Sequence, residues 1–278
     1  MNRHTQMPRS GIERVHADRR TRARGYVMPA YHCHTYYELY CVERGACRFL
    51  VEDSMYDLRA GDFLLIPPQL LHYTRYPFGD CRRSTVLFRG EDVDEAVRAC
   101  LPEGAAFLAR LRIFRAPEAH RGELSALLGR MVTEERIRDA RSALLLRTRL
   151  QELLLLCARE CDCLHDAPAN IRTTEDSVLR SAQFISAHYA EPINTADVAT
   201  AVGFSPNYLS RKFREAAGIG VHEYLVLTRL RHAALELLAT EDSVTEIALR
   251  CGFSGSNYFK DAFKKKYGVT PRDYRRMG

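Results

Sequence analysis

No stretch of the 278 residues approaches the eighteen consecutive apolar positions that a membrane-spanning helix requires. The basic N-terminus lacks the apolar segment of a secretory signal. Both absences predict a cytoplasmic protein with no membrane partner. There is no glycine-rich phosphate loop, and no Ser/His/Asp or Cys/His set has a recognisable catalytic spacing, so the reading is of a non-enzyme. Nine cysteines are present, and in a cytoplasmic chain they predict reduced thiols rather than a disulfide framework.

The chain is also only mildly unbalanced in charge, at +6, and the excess is confined to its two ends. Residues 1–24 carry seven Arg against Glu13 and Asp18, and residues 172–278 carry fifteen Lys and Arg against twelve acids. Positive ends around a slightly negative middle suit contact with a polyanion. At this length one or two domains can each bury a core.

The pattern divides the chain. Residues 1–24 have no apolar period and are expected to be a disordered basic tail. Residues 25–90 hold short apolar, β-favouring runs at Tyr36 to Val42, Cys47 to Val51, Phe63 to Ile66 and Thr85 to Phe88. Turn residues such as Ala60-Gly61-Asp62 and Pro67-Pro68 separate them, which predicts an antiparallel sandwich or barrel. Helical spacing takes over at Glu123 to Ile137 and Leu144 to Cys157. The second of these helices is apolar around much of its girth, so it must pack in a core or against a second chain. Residues 25–163 are therefore expected to form one domain, which packs these helices on itself or dimerises through them. Residues 164–172, with Pro168, read as a linker, and residues 173–278 as an all-helical domain.

That last segment contains a repeat. Asp197-Val198-Ala199 and Gly203-Phe204-Ser205 recur 49 residues later as Glu246-Ile247-Ala248 and Gly252-Phe253-Ser254. Each copy has a small residue where two helices would cross and a glycine able to end the first helix. Ser205 can cap the next helix with Pro206 at its first position, and Ser243 with Glu246 makes a capping box. Phe213 and Phe263 fall on the inner faces, with Tyr208 and Tyr258 packing beside them. Asn207, Ser210, Arg211 and Arg214 fall on one outer face, and Ser256, Asn257, Lys260 and Lys264 on the other. Such groups read base edges and grip phosphates. Val221 to Ala239, with an apolar stripe of Tyr224, Leu227, Leu230, Ala234, Leu237 and Leu238, predicts a helix joining two helix-turn-helix units. Their recognition helices would lie about one DNA turn, roughly 34 Å, apart.

Here the chain resembles the AraC/XylS family of transcription regulators over residues 178–276. Ile185, Tyr189, Arg229-Leu230, Gly252-Phe253-Ser254, Tyr258-Phe259, Phe263-Lys264, Gly268, Pro271 and Tyr274-Arg275 carry the likeness. The resemblance implies double-stranded DNA as partner, a promoter as target and activation as the usual output, with RNA polymerase contacted and a homodimer formed. It places base contacts at Asn207, Ser210 and Arg211, then at Ser256, Asn257, Lys260 and Asp261. Asp261 departs from the basic or neutral residue more usual there.

His32, His34 and Glu38, followed by His72, form a second constellation. On a strand His32, His34 and Glu38 share a parity and point to one face. Three imidazoles and a carboxylate suit Zn, Ni, Mn or Fe. The stretch resembles a cupin, with Gln69 standing where its second motif usually has Gly, and also the sensing arms of AraC-type regulators. Three readings stand side by side: a polar pocket for a small ligand such as a sugar, involving His32, His34, Tyr36, Glu38 and His72; a divalent metal site of His32, His34, Glu38 and His72; or a structural remnant. Tyr31, Tyr37, Tyr40 and Tyr73 nearby suit a carbohydrate but are also ordinary on half-buried strands.

The whole is read as α+β in two domains: an N-terminal cupin-like antiparallel β-barrel with helices, and a C-terminal all-α double helix-turn-helix domain. Two other functions remain open: a metal-dependent cupin enzyme with an accessory DNA-binding domain, and a thiol or metal sensor built on Cys157, Cys161, Cys163 and His165.

Overall fold

A computed structural model describes residues 14–26, 28, 31–104, 106–164 and 176–276. The N-terminal half contains β1 (His16–Arg22), β2 (Tyr37–Arg44), β3 (Ala46–Val51), β4 (Ser54–Arg59), β5 (Asp62–Ile66), β6 (His72–Arg75) and β7 (Cys81–Phe88). The short helices α1 (Glu95–Cys100) and α2 (Ala106–Ala109) follow, then β8 (Arg112–Arg115), α3 (Glu118–Ile137), α4 (Ser142–Glu160) and β9 (Asp162–Leu164). The strands make two antiparallel sheets, ordered β1-β7-β2-β5-β8-β9 and β4-β3-β6.

Alternation along β2 explains why its whole run is apolar. Tyr40 and Val42 face the smaller sheet, where Phe49, Tyr56, Leu58, Leu64 and Ile66 fill the space between the layers. Leu39 and Cys41 face the other way, onto Leu124, Leu127, Leu128 and Met131 of α3 and Leu146, Leu150, Leu153 and Leu154 of α4. A sheet covered on both faces needs continuous rather than alternating hydrophobicity. The girdle of leucines on α4 is accordingly split: those four are buried on the sheet, while Leu144, Leu145 and Leu155 remain exposed.

The expected basic tail is corrected in part. Residues 16–22 are a strand paired along its length with β7. Only Val15 and Ala17 supply apolar burial, so no period announces the strand. Its charges are partnered instead: Arg19 Nε lies 2.7 Å from Glu43 Oε1, whose side chain is fully inside, and Arg83 reaches Asp18 at 3.0 Å. Residues 1–13 fall outside the described residues, as do residues 165–172 of the expected linker; Leu164 belongs to β9.

The C-terminal half is helical: α5 (Asp176–His188), α6 (Thr195–Val202), α7 (Pro206–Ala217), α8 (Val221–Ala239), α9 (Val244–Arg250), α10 (Ser256–Tyr267) and α11 (Pro271–Arg275). The caps fall where the repeat puts them. Ser205 accepts from the Tyr208 amide, Pro206 opens α7, and Ser243 and Glu246 close a capping box on α9. Helix α8 serves both units, burying Tyr224 and Leu225 against Leu209 and Phe213, and Leu230, Ala233, Ala234 and Leu237 against Ile247, Phe259 and Phe263. Leu238, expected in that stripe, stays exposed because α9 meets α8 on the Leu237 side.

His232 on α8 stacks on Tyr189 with ring centroids 3.9 Å apart, and its Nε2 lies 3.1 Å from Arg231 Nη2. Burial, then the Arg231 charge, pushes its pKa down to about 4. An unfolded imidazole takes its proton near 6.5, so the unfolded state binds the proton first as pH falls. The folded protein is therefore expected to lose stability as pH drops from about 6.5 towards about 4. His232→Gln should lose less than wild type across that window, measured by urea denaturation at several pH values. An equal loss in both would remove His232 as a cause.

Candidate effector site and DNA-reading helices

Three separate pieces of chain bring the histidine constellation together. Glu38 sits on β2 and His72 opens β6. His32 pairs with His72 as an isolated antiparallel bridge, and His34 lies in the irregular stretch before β2. The expected uninterrupted strand from His32 to Glu38 is thus corrected: the chain bends at Thr35 and Tyr36. A contact from His34 Nδ1 to the Tyr36 carbonyl, at 2.7 Å, holds that bend and turns the imidazole back towards Glu38.

The four ligand atoms lie within 4.8 Å of one another. His34 Nε2 is 3.1 Å and His72 Nε2 3.4 Å from Glu38 Oε2. The rings of His32 and His72 are 4.2 Å apart. Glu38 and His72 are almost wholly buried. Burial lowers the pKa values of both His32 and His34, so these imidazoles are neutral at pH 7. Burial alone would raise the Glu38 carboxyl, but its contacts with His34 and His72 outweigh this and hold it well below the usual carboxylate range.

Tautomer logic then decides what the cluster lacks. His34 Nδ1 and His72 Nδ1 each face a backbone carbonyl, of Tyr36 at 2.7 Å and Leu70 at 2.9 Å. A carbonyl only accepts, so each Nδ1 carries a proton and each Nε2 is the atom turned towards Glu38. The His34 Nε2 contact with the Glu38 carboxylate then needs one further proton, or a cation in its place. His32 Nε2 is buried without any hydrogen-bond partner, and His72 Nε2 has only its 3.4 Å approach to Glu38 Oε2. A cation among the four atoms resolves all of these at once. Metal-bound N and O ligands at about 2.0–2.2 Å stand roughly 3–4.5 Å from each other, so the donor set fits. The carbonyls orienting Nδ1 are the outer partners that such ligands need.

Tyr36 is not in the ligand ring; it stacks flat on His34 at 4.1 Å and 6°. Its phenol stays protonated, because burial and Glu38 both raise its pKa. Gln69 has φ of +68°, a conformation that favours glycine, which accounts for the Gly usual at that motif position. Its side-chain amide donates to the Tyr274 hydroxyl at 2.5 Å.

Of the cysteine cluster, Cys157 and Cys161 lie in side-chain contact at the end of α4. Cys157 is buried, Cys161 half-buried and Cys163 exposed on β9. Among the described residues they join no group of three metal-ligating side chains, and His165 lies outside those residues.

On α7, Asn207, Arg211 and Arg214 are exposed and Ser210 half-exposed, one face opposite the buried Leu209 and Phe213. On α10, Asn257, Lys260 and Lys264 are exposed and Ser256 half-exposed, opposite Phe259 and Phe263. Asp261 is exposed beside Lys260. Tyr208 and Tyr258, expected to pack inward, stay largely exposed because the Phe residues fill the inner face. Tyr208 stacks on Phe204 at 5.0 Å and underlies the Arg211 guanidinium at 5.8 Å.

Comparison with known proteins agrees with both halves. The family model of the AraC-like ligand binding domain matches residues 18–154, and that of a helix-turn-helix domain matches residues 198–277. An uncharacterized HTH-type transcriptional regulator of Staphylococcus aureus (strain COL) is 38% identical over 36% of this chain and 14% of its own length. The HTH-type transcriptional regulator YijO of Escherichia coli K12 is 43% identical over 34% of this chain and 33% of its own. The chain thus spans a third or less of these curated relatives. Among solved structures, the C-terminal domain of AraT, a response regulator from Geobacillus stearothermophilus, is 39% identical over 37% of this chain and 85% of that one, with a TM-score of 0.36. ToxT from Vibrio cholerae O395 covers 96% of this chain and 98% of its own at 12% identity, with a TM-score of 0.37. No helix among the described residues is long and apolar enough to cross a membrane. With an AraC-like ligand-binding half joined to a paired helix-turn-helix half, this chain belongs to the AraC family of transcriptional regulators.

Proposed function

We propose that this regulator reads double-stranded DNA through α7 and α10 and takes a divalent transition-metal ion as its effector. His32, His34, Glu38 and His72 would hold the ion, with Zn, Ni, Mn and Fe as the candidates. The observation that carries the reading is the convergence of four ligand atoms within 4.8 Å of one another, with His32 Nε2 buried and without a hydrogen-bond partner. The bound ion would supply positive charge directly between the Glu38 carboxylate and the three imidazoles. Polar atoms within 4.8 Å of one another leave no room for a sugar ring among them. A carbohydrate effector would instead lie against the surrounding tyrosines. Calorimetric titration of the chelator-treated protein, first with Zn(II) and then with a panel of sugars, separates the two. Zn(II) is expected to bind once per chain, and a sugar binding where metals do not would overturn the ion reading.

Asn207, Ser210 and Arg211 are assigned to base edges, together with Ser256, Asn257 and Lys260; Arg214 and Lys264 are assigned to phosphates. Arg211→Ala is expected to cost about 1–3 kcal/mol of binding to a duplex selected from a random pool, and to relax preference at one position. Arg214→Ala should weaken all duplexes alike and reduce the salt slope by about 0.9. Unchanged slopes and preferences in both would remove α7 from the interface. Leu144 and Leu155, three turns apart on one face of α4, support a homodimer through this helix. The family resemblance supports activation, with RNA polymerase as partner.

A further inference from the structure

We propose that the paired segments around His32 and His72 form a two-faced ribbon, in which ion binding on one face fixes how the other face grips both helix-turn-helix units. The inference rests on the ion reading above and adds its route to the DNA-binding half.

His32 and His72 exchange both backbone hydrogen bonds, His32 N to His72 O at 3.1 Å and His72 N to His32 O at 2.9 Å. Neighbours in a paired extended segment point to opposite sides. The two imidazoles turn towards Glu38, so the adjacent Tyr31, Cys33 and Tyr73 turn away from it, and what they meet is the helical domain.

Tyr31 and Tyr73 stack at 5.1 Å, and Tyr31 meets Tyr224 of α8 edge-on at 5.3 Å. Gly218, which caps α7, lies so close to Tyr73 that an added Cβ would stand 3.0 Å from its ring. The Tyr224 hydroxyl donates to the Glu52 carbonyl at 2.6 Å, and the Glu52 carboxylate pairs with Arg231. These contacts hold the first unit and the shared helix.

The second unit is held by the same ribbon. Cys33 lies beside the Tyr267 hydroxyl at the end of α10. Gln69, three residues before His72, donates to Tyr274 of α11 at 2.5 Å, and its oxygen is 3.8 Å from Cys33 Sγ. Gln69 makes that bond from a left-handed backbone position that glycine would occupy without strain. Drawing His32, His34 and His72 onto one ion with Glu38 restrains their backbones, and with them Tyr31, Cys33, Gln69 and Tyr73. The exposed reading faces of α7 and α10 stay open, so the hold sets the relation between the two recognition helices rather than covering either.

Hydrogen exchange on the full chain tests this, read at the amides of residues 256–276 with and without Zn(II), alongside calorimetric Zn(II) titration. Zn(II) is expected to slow exchange at the end of α10 and in α11 by roughly 5- to 150-fold, the usual size of a coupling between sites. Gln69→Gly relieves the backbone strain and removes the Tyr274 contact, and Tyr274→Phe removes only the hydroxyl. Both leave the four ligand residues in place. Each should still bind Zn(II), more weakly by the same factor by which its slowing is reduced, since the coupling is reciprocal. Zn(II) binding with unchanged exchange in wild-type α10 and α11 overturns the ribbon and leaves the ion site standing. Failure of Zn(II), Ni(II), Mn(II) and Fe(II) to bind at all overturns both.

Discussion

Glu38→Gln is expected to lower Zn(II) affinity by at least about 100-fold, the upper end of what losing one outer partner of a metal ligand costs. The expected loss is larger than for an outer partner because Glu38 is itself the anionic ligand and touches two of the three imidazoles. The apoprotein should remain folded. Gln has the shape of Glu, and its amide can either donate to or accept from His34 Nε2, whichever the ring presents. The variant thus keeps a side chain in contact with His34 while removing the anionic ligand. Calorimetry measures the first expectation and denaturant unfolding the second. Zn(II) affinity within a few-fold of wild type would take Glu38 out of the site.

Gly252→Ala should be among the most damaging single substitutions in the helical domain, costing about 2–4 kcal/mol: about 1–2 for a left-handed alanine and the rest for overpacking. Gly252 has φ of +82°, and an added Cβ would stand 2.5 Å from the Tyr189 carbonyl and 2.9 Å from Arg229 Nε. Neither neighbour can yield cheaply, because Arg229 donates to that carbonyl at 2.7 Å and to the Glu191 carbonyl at 2.7 Å. This tie joins α8 to the chain after α5 directly beneath the second unit's turn. Gly203, its counterpart in the first unit, also has a positive φ, of +79°, but nothing lies within 4 Å of an added Cβ. Gly203→Ala should therefore cost only the backbone part, about 1–2 kcal/mol. Thermal unfolding of both variants measures the contrast, and equal losses would show that backbone conformation alone sets the cost.

That asymmetry shows where reading the sequence stops. The repeat places both glycines in register, and both adopt the left-handed conformation it requires, since turn geometry is local. What touches each glycine depends on α5, α8 and the loop after α5, which the repeat does not encode. The helical domain is legible for the same reason: caps, glycines and a 3.6-residue period are properties of neighbouring residues. β1 is illegible because it is held by backbone pairing with β7 and by distant ion pairs such as Arg19 with Glu43, and leaves no apolar period. At the candidate site, His32, His34, Glu38 and His72 are found by residue type and spacing. The reason for their convergence is not, because it involves a bend at Tyr36 rather than strand parity. Tyr31 and Tyr73 are visible in the sequence only as aromatics, Gln69 only as a departure from a motif, and Cys33 not at all. Their role needs the opposite face of the ribbon, which belongs to a different domain.

The most direct test of the account is the affinity of the full chain for a duplex selected from a random pool, measured by fluorescence anisotropy in chelator and in excess Zn(II). A ligand shifts an equilibrium only by its differential affinity for the two arrangements. The account predicts that Zn(II) changes DNA affinity by roughly fivefold or more in wild type, within the range of ordinary coupling. The same comparison in Glu38→Gln should show no change. Equal affinity in chelator and Zn(II) for the wild-type protein, with Zn(II) shown to be bound, would contradict it.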